Sequence, residues 1–121
     1  MKYIILSILL TFCIPSSSTA QLTCEDILEA VQTHGTLTTS YCCFNSSFLT
    51  GVKFYTYTEN YKTLYFAAVQ FNLGKWYIYQ VANNVQSDFG IYAFSDNAGD
   101  AFHQYIHSYR DVLGCAPRIR R

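Results

Sequence analysis

Apolar and polar positions recur along this chain at two different periods. In residues 52–58, Val-Lys-Phe-Tyr-Thr-Tyr-Thr, they alternate one by one, and the residues are β-branched or aromatic. That period of two predicts a strand. Residues 63–71 and 75–81 read the same way, with turns at residues 59–62 and at Asn72-Leu73-Gly74. Three strands joined by short loops predict an antiparallel meander. On either side the period lengthens. Ile27, Leu28 and Val31 share one face of a helix over residues 24–34, with Thr23 as its cap, Glu25 and Asp26 at its positive end and Gly35 as its stop. A short helix is predicted over residues 83–89, capped by Asn83 or Asn84, with Phe89, Tyr92 and Phe94 as core groups around Gly90. A final helix is predicted over residues 100–110, where Phe102, Tyr105, Ile106 and Tyr109 form one apolar face. Residues 36–47, rich in Thr, Ser and Cys, fit a strand or an extended linker equally well. The expected fold class is α+β: a three-stranded antiparallel meander with C-terminal helices, preceded by a short N-terminal helix.

The start of the chain follows neither period. Lys2 is followed by an apolar run to Ile14, then Pro15, three serines and Thr19-Ala20. Small residues at Ser18 and Ala20 precede a cut ahead of Gln21. This is the layout of a secretory signal peptide, and the apolar run is too short to span a bilayer. No later stretch is long and apolar enough to do so. The expected destination is the periplasm or the medium, of a bacterial rather than a eukaryotic cell. An expected division follows: residues 1–20 signal peptide, 21–45 N-terminal helix and Cys-rich linker, 46–110 the main domain, 111–121 a basic tail.

Composition sharpens this. The chain has 121 residues, one domain's worth, and its 17% aromatic content excludes a disordered protein. Eight basic and eight acidic residues balance, and losing Lys2 with the leader leaves a net charge near −1. A basic clamp on nucleic acid normally needs clustered Lys and Arg. Cys13 also leaves, so the mature chain keeps Cys24, Cys42, Cys43 and Cys115. Four cysteines in a small exported domain point to two disulfides. Bonding between adjacent Cys42 and Cys43 is strained, so the expected scheme joins one of them to Cys24 and the other to Cys115.

Along the main domain Ser46-Ser47, Val52, Tyr55, Thr63-Leu64, Phe71 and Gly74 come first. Then follow the Tyr-x-Tyr of Tyr77-Ile78-Tyr79, Val81, and Gly99, Phe102, Ile106 and Tyr109. This order resembles that of the KTSC domain, a module found at the C-terminus of some lysyl-tRNA synthetases. The likeness covers just over half of the mature chain. It departs from the family at Val81-Ala82, where a Val-Pro is usual, and at His107, where a basic residue often follows the Ile. The resemblance implies a small binding module, with RNA as a ligand.

Three groupings could carry chemistry. Tyr77 and Tyr79 share a strand face, as do Tyr55 and Tyr57, and these four are the expected aromatic platform for a base, a sugar or a protein. Lys53, Lys62, Lys75 and the tail could assist nucleic-acid binding. Asp100, His103 and His107 fall near one helical stripe and are the candidate metal ligands. A zinc hydrolase helix would carry a Glu between its two histidines, and residues 104–106 have none. No Gly-x-Ser-x-Gly or Gly-rich phosphate loop occurs. The expected function is therefore an exported, non-catalytic binding module with no cofactor, acting on a protein or envelope component. RNA binding, and a small metal-dependent or hydrolytic enzyme, are the alternatives.

Overall fold

The computed structural model describes residues 22–42, 44–95 and 97–119. The expected leader, Cys43 and Asp96 lie outside them. Helix α1 (Cys24–His34) opens with a reciprocal cap. The Thr23 hydroxyl accepts from the Asp26 N–H at 3.1 Å, and the Thr23 N–H donates to the Asp26 carboxylate at 3.2 Å. The helix stops at Gly35, whose N–H donates to the Val31 carbonyl. A Cβ at Gly35 would lie 2.9 Å from the Thr56 carbonyl oxygen, so close approach to the sheet selects glycine here.

Four strands follow: β1 (Thr36–Cys42), β2 (Leu49–Glu59), β3 (Lys62–Phe71) and β4 (Trp76–Val81). They form one antiparallel sheet in the order β1-β2-β3-β4. The three-strand expectation is corrected to four, because the Thr-rich segment is a strand paired to β2 from Thr36↔Thr56 to Cys42↔Gly51. Its side chains are mostly exposed at the sheet edge, so no apolar alternation marks it. Two side chains fasten it: the Thr38 hydroxyl lies 3.1 Å from the Phe54 carbonyl and 2.7 Å from the Gln86 side-chain oxygen, either of which can accept its one proton, and the Gln86 amide donates to the Thr39 hydroxyl. Both remaining hairpins turn through two left-handed residues, Asn60-Tyr61 and Asn72-Leu73, with φ of 50°, 64°, 51° and 58°. These are type I′ turns, whose twist suits the strands.

Beyond β4 come α2 (Val85–Ser95), a short α3 (Ala98–Ala101), a π turn over Phe102–Ile106, a 3₁₀ turn over His107–Tyr109, and α4 (Arg110–Leu113). The single helix expected over residues 100–110 is thus interrupted. The His107 N–H reaches the Phe102 carbonyl, an i→i+5 bond. The widened turn buries both Ile106 and His107, neighbours that an α-helix would set 100° apart.

Helices cover both faces of the sheet. On one, Val52, Phe54, Ala67, Val69 and Tyr79 pack against Phe89, Ala93, Phe102 and Ile106. On the other, Tyr55, Leu64, Phe66, Ala68 and Ile78 pack against Ile27 and Val31 of α1, and against Leu113 and Cys115. The chain passes round the β4 edge between these two layers, and Cys115 then bonds Cys24, with Cα atoms 5.6 Å apart. This corrects the expected pairing of each with Cys42 or Cys43. Cys42 stands opposite Gly51 on the exposed edge strand, whereas Cys24 and Cys115 meet under the α1 face. Among the described residues no helix is long and apolar enough to cross a membrane.

Candidate functional site

The four platform tyrosines do not share a surface. Strand alternation places Tyr55 and Tyr57 on the α1 face and Tyr77 and Tyr79 on the opposite one. Tyr79 is only 1% exposed and Tyr55 is also buried. Burial raises the phenol pKa of Tyr55 above its usual value, against a hydrogen bond from Gln32 that lowers it. Tyr57 is half-buried, and burial followed by the Glu59 charge raises its pKa too. Tyr77 lies at the margin, with the Lys75 ammonium 4.9 Å from its ring. Lys53 sits 4.8 Å from the Trp76 ring on the α1 face. A common aromatic platform is therefore replaced by two layers of core and two separate cation–aromatic margins.

Asp100, His103 and His107 fare similarly. Asp100 belongs to α3, His103 to the π turn and His107 to the 3₁₀ turn. The two imidazole rings are perpendicular with centroids 5.6 Å apart. Among the described residues no group of three or more His, Cys, Asp or Glu could hold a metal ion. The π turn directs His107 inward, and its Nδ1 lies 2.9 Å from the Tyr79 hydroxyl.

That Tyr79–His107 contact is the most buried polar pair on this side of the sheet. Burial first, and then the Arg110 and His103 charges, hold the His107 pKa below its usual value, with Asp111 opposing. Burial pushes the Tyr79 phenol well above its usual range, with Arg110 opposing and Tyr77 adding. Both groups are thus neutral near pH 7, and either imidazole tautomer satisfies both atoms. Phe102 stacks edge-on against Tyr79 and lies 5.2 Å from the His107 ring centroid. The pair fixes the π turn to β4. Beside it a polar cleft of about 360 Å³ opens between His107, Arg110, Asp111 and Arg118.

The clearest surface feature is on α2. Val85, Phe89 and Ala93 point into the core, four residues apart. On the outer side Ile91 is 59% exposed, Tyr92 42% and Phe94 55%. This corrects the expectation that Tyr92 and Phe94 are core groups: only Phe89 is. The outer residues do not stand alone. Phe94 stacks on Phe44 at 5.3 Å and touches the Tyr41 ring at 5.5 Å. Tyr92 stacks on Tyr105 at 5.3 Å. Gly90 lets the helix lie against Tyr41, whose hydroxyl a Cβ there would strike. The result is two aromatic groups flanking Ile91, one toward the end of β1 and one toward the π turn. The sequence did not mark this arrangement, since the helix expected over residues 83–89 stops short of Ile91, Tyr92 and Phe94 and the structure extends it to Ser95.

No family model, no curated protein and no solved structure matches the chain. Tyr79, Phe102 and Ile106 meet in one core.

Proposed function

We propose that this protein is an exported, non-catalytic binding module that holds a partner protein or envelope component on the outer face of α2. One observation carries the reading: α2 buries Val85, Phe89 and Ala93 and still leaves the apolar Ile91, Tyr92 and Phe94 facing solvent in a small domain. Single exposed apolar residues are ordinary, but three on one helix, flanked by the Phe94–Phe44 and Tyr92–Tyr105 ring pairs, favour an interaction surface. The Cys24–Cys115 bond and the leader-like start both favour an oxidising compartment. Base stacking in the manner of RNA-binding sheets needs an open sheet face, and both faces here are largely covered. A metal-dependent hydrolase lacks its ligand cluster among the described residues.

The test is capture from envelope and culture-supernatant fractions with immobilised mature protein, its Ile91→Glu variant and its Phe94→Glu variant. Wild type should retain a defined species that both variants lose while keeping their circular dichroism. Retention of the same species by both variants would remove α2 as the contact surface.

A further inference from the structure

The end of β4 leaves a second opening unrelated to the α2 patch. Strand β3 begins at Lys62, but its pairing with β4 begins only at Tyr65↔Val81. Lys62, Thr63 and Leu64 therefore extend beyond the last β4 partner. The type I′ turn at Asn60-Tyr61 closes on the pair Glu59↔Lys62. In such a hairpin the closing residues exchange hydrogen bonds, and the next pair, Thr58↔Thr63, does not. The two hydroxyls of that pair lie 3.2 Å apart, as the closer side-chain spacing of a non-bonded pair requires. The backbone N–H and C=O of Thr63 consequently point away from β2, toward the side where β4 has ended.

A cleft of about 380 Å³ occupies that side. Its walls are mainly apolar: Leu64, Tyr65, Val81, Tyr109 and Val112. Gln80 also lines it. The opening thus combines apolar walls with a strand edge that offers one donor and one acceptor.

We propose that this cleft binds a short extended peptide segment of a partner protein, added to the sheet as a continuation of β4 beside Thr63. Strand addition uses main-chain hydrogen bonds for affinity and a side-chain pocket for selectivity. The peptide backbone pairs with Thr63, and an apolar side chain enters between Tyr65, Tyr109 and Val112. The volume lies within the range of ligand pockets and suits one medium-sized side chain with its flanking backbone.

The test uses the ¹⁵N-labelled mature protein titrated with the capped peptide Ac-Thr-Leu-Thr-Val-Thr-NH₂ to about 1 mM. Amide shifts should cluster at Thr63, Leu64, Val81, Ala82 and Val112, with slowed exchange of the Thr63 amide. N-methylating the central peptide residue should weaken binding by at least about tenfold. Val112→Trp, which fills the cleft from its rim, should abolish the shifts. Absence of shifts at that concentration, or equal binding of the N-methylated peptide, overturns the proposal. Shifts at these residues from p-cresol but not from the peptide would overturn it as well, by assigning the cleft to small phenols.

Discussion

Replacing Cys24 and Cys115 together by alanine should remove a large share of the stability. The two residues are 91 apart in sequence, so the bond closes nearly the whole described chain into one loop. The chain-entropy relation gives about 4.5 kcal/mol for a loop of that length. Cys115 is buried beside Ile27, Val31 and Leu113, and alanine at that site removes only a small apolar group in addition. A domain of this size has about 5–15 kcal/mol in all, so the loss is a substantial part of it. The corresponding fall in melting temperature is about 20 °C or more. The double variant is needed because a single one leaves a thiol able to exchange with Cys42 or Cys43. Trp76, the one tryptophan, lies at the sheet margin beside Lys53 and reports unfolding by fluorescence. Guanidinium titrations of oxidised wild type and Cys24→Ala/Cys115→Ala give the difference at equal slope. A loss below about 1 kcal/mol would refute the reasoning, since constraining so long a loop must stabilise by more.

Other changes test single features. The His107 pKa is lowered by folding, so the unfolded chain binds more protons below about pH 6.5. Its contribution is constant above that pH and is lost as pH falls, at up to about 1.4 kcal/mol per pH unit. His107→Gln should flatten the acid limb of stability measured by urea unfolding between pH 7 and 5, and an unchanged limb would contradict the buried pair. Tyr61 is fully exposed and left-handed, with φ of 64°. Tyr61→Gly should raise stability by about 0.5–1 kcal/mol in thermal melts, and a loss would argue against the type I′ turn. Thr23→Ala should cost about 1 kcal/mol by removing the α1 cap, read in the same melts.

Much of the scaffold was legible because its residues obey local rules. Thr23, Asp26 and Gly35 bound α1 by capping and close approach, and those signals lie within one turn of the helix ends. Strands β2 to β4 showed because β-branched and aromatic residues run between short turn signals, with Val52 and Phe54 on one face and Tyr55 on the other. Strand β1 was ambiguous because an exposed edge needs no apolar alternation. Tyrosine spacing correctly gave which pairs share a face, but not which faces coincide, since Tyr55 and Tyr79 are related only by the register of three strands. The π turn was not legible either. Phe102, Tyr105, Ile106 and Tyr109 fit an α-helical stripe, and only the packing of His107 against Tyr79 selects the wider turn. The α2 surface was not legible: the sequence marked a helix only over residues 83–89 and placed Tyr92 and Phe94 in the core with Phe89, because their division into core and exterior depends on where β1 and the π turn lie.

Site-specific photocrosslinking from position 91 tests the binding role most directly. A photoreactive phenylalanine analogue replaces Ile91 on the outer face of α2, and in a control replaces Glu29 on the exposed side of α1. Illumination in the envelope and supernatant fractions should yield one adduct of defined mass from position 91 and none from position 29. No adduct from position 91, or the same adducts from both positions, would contradict a binding module built on α2.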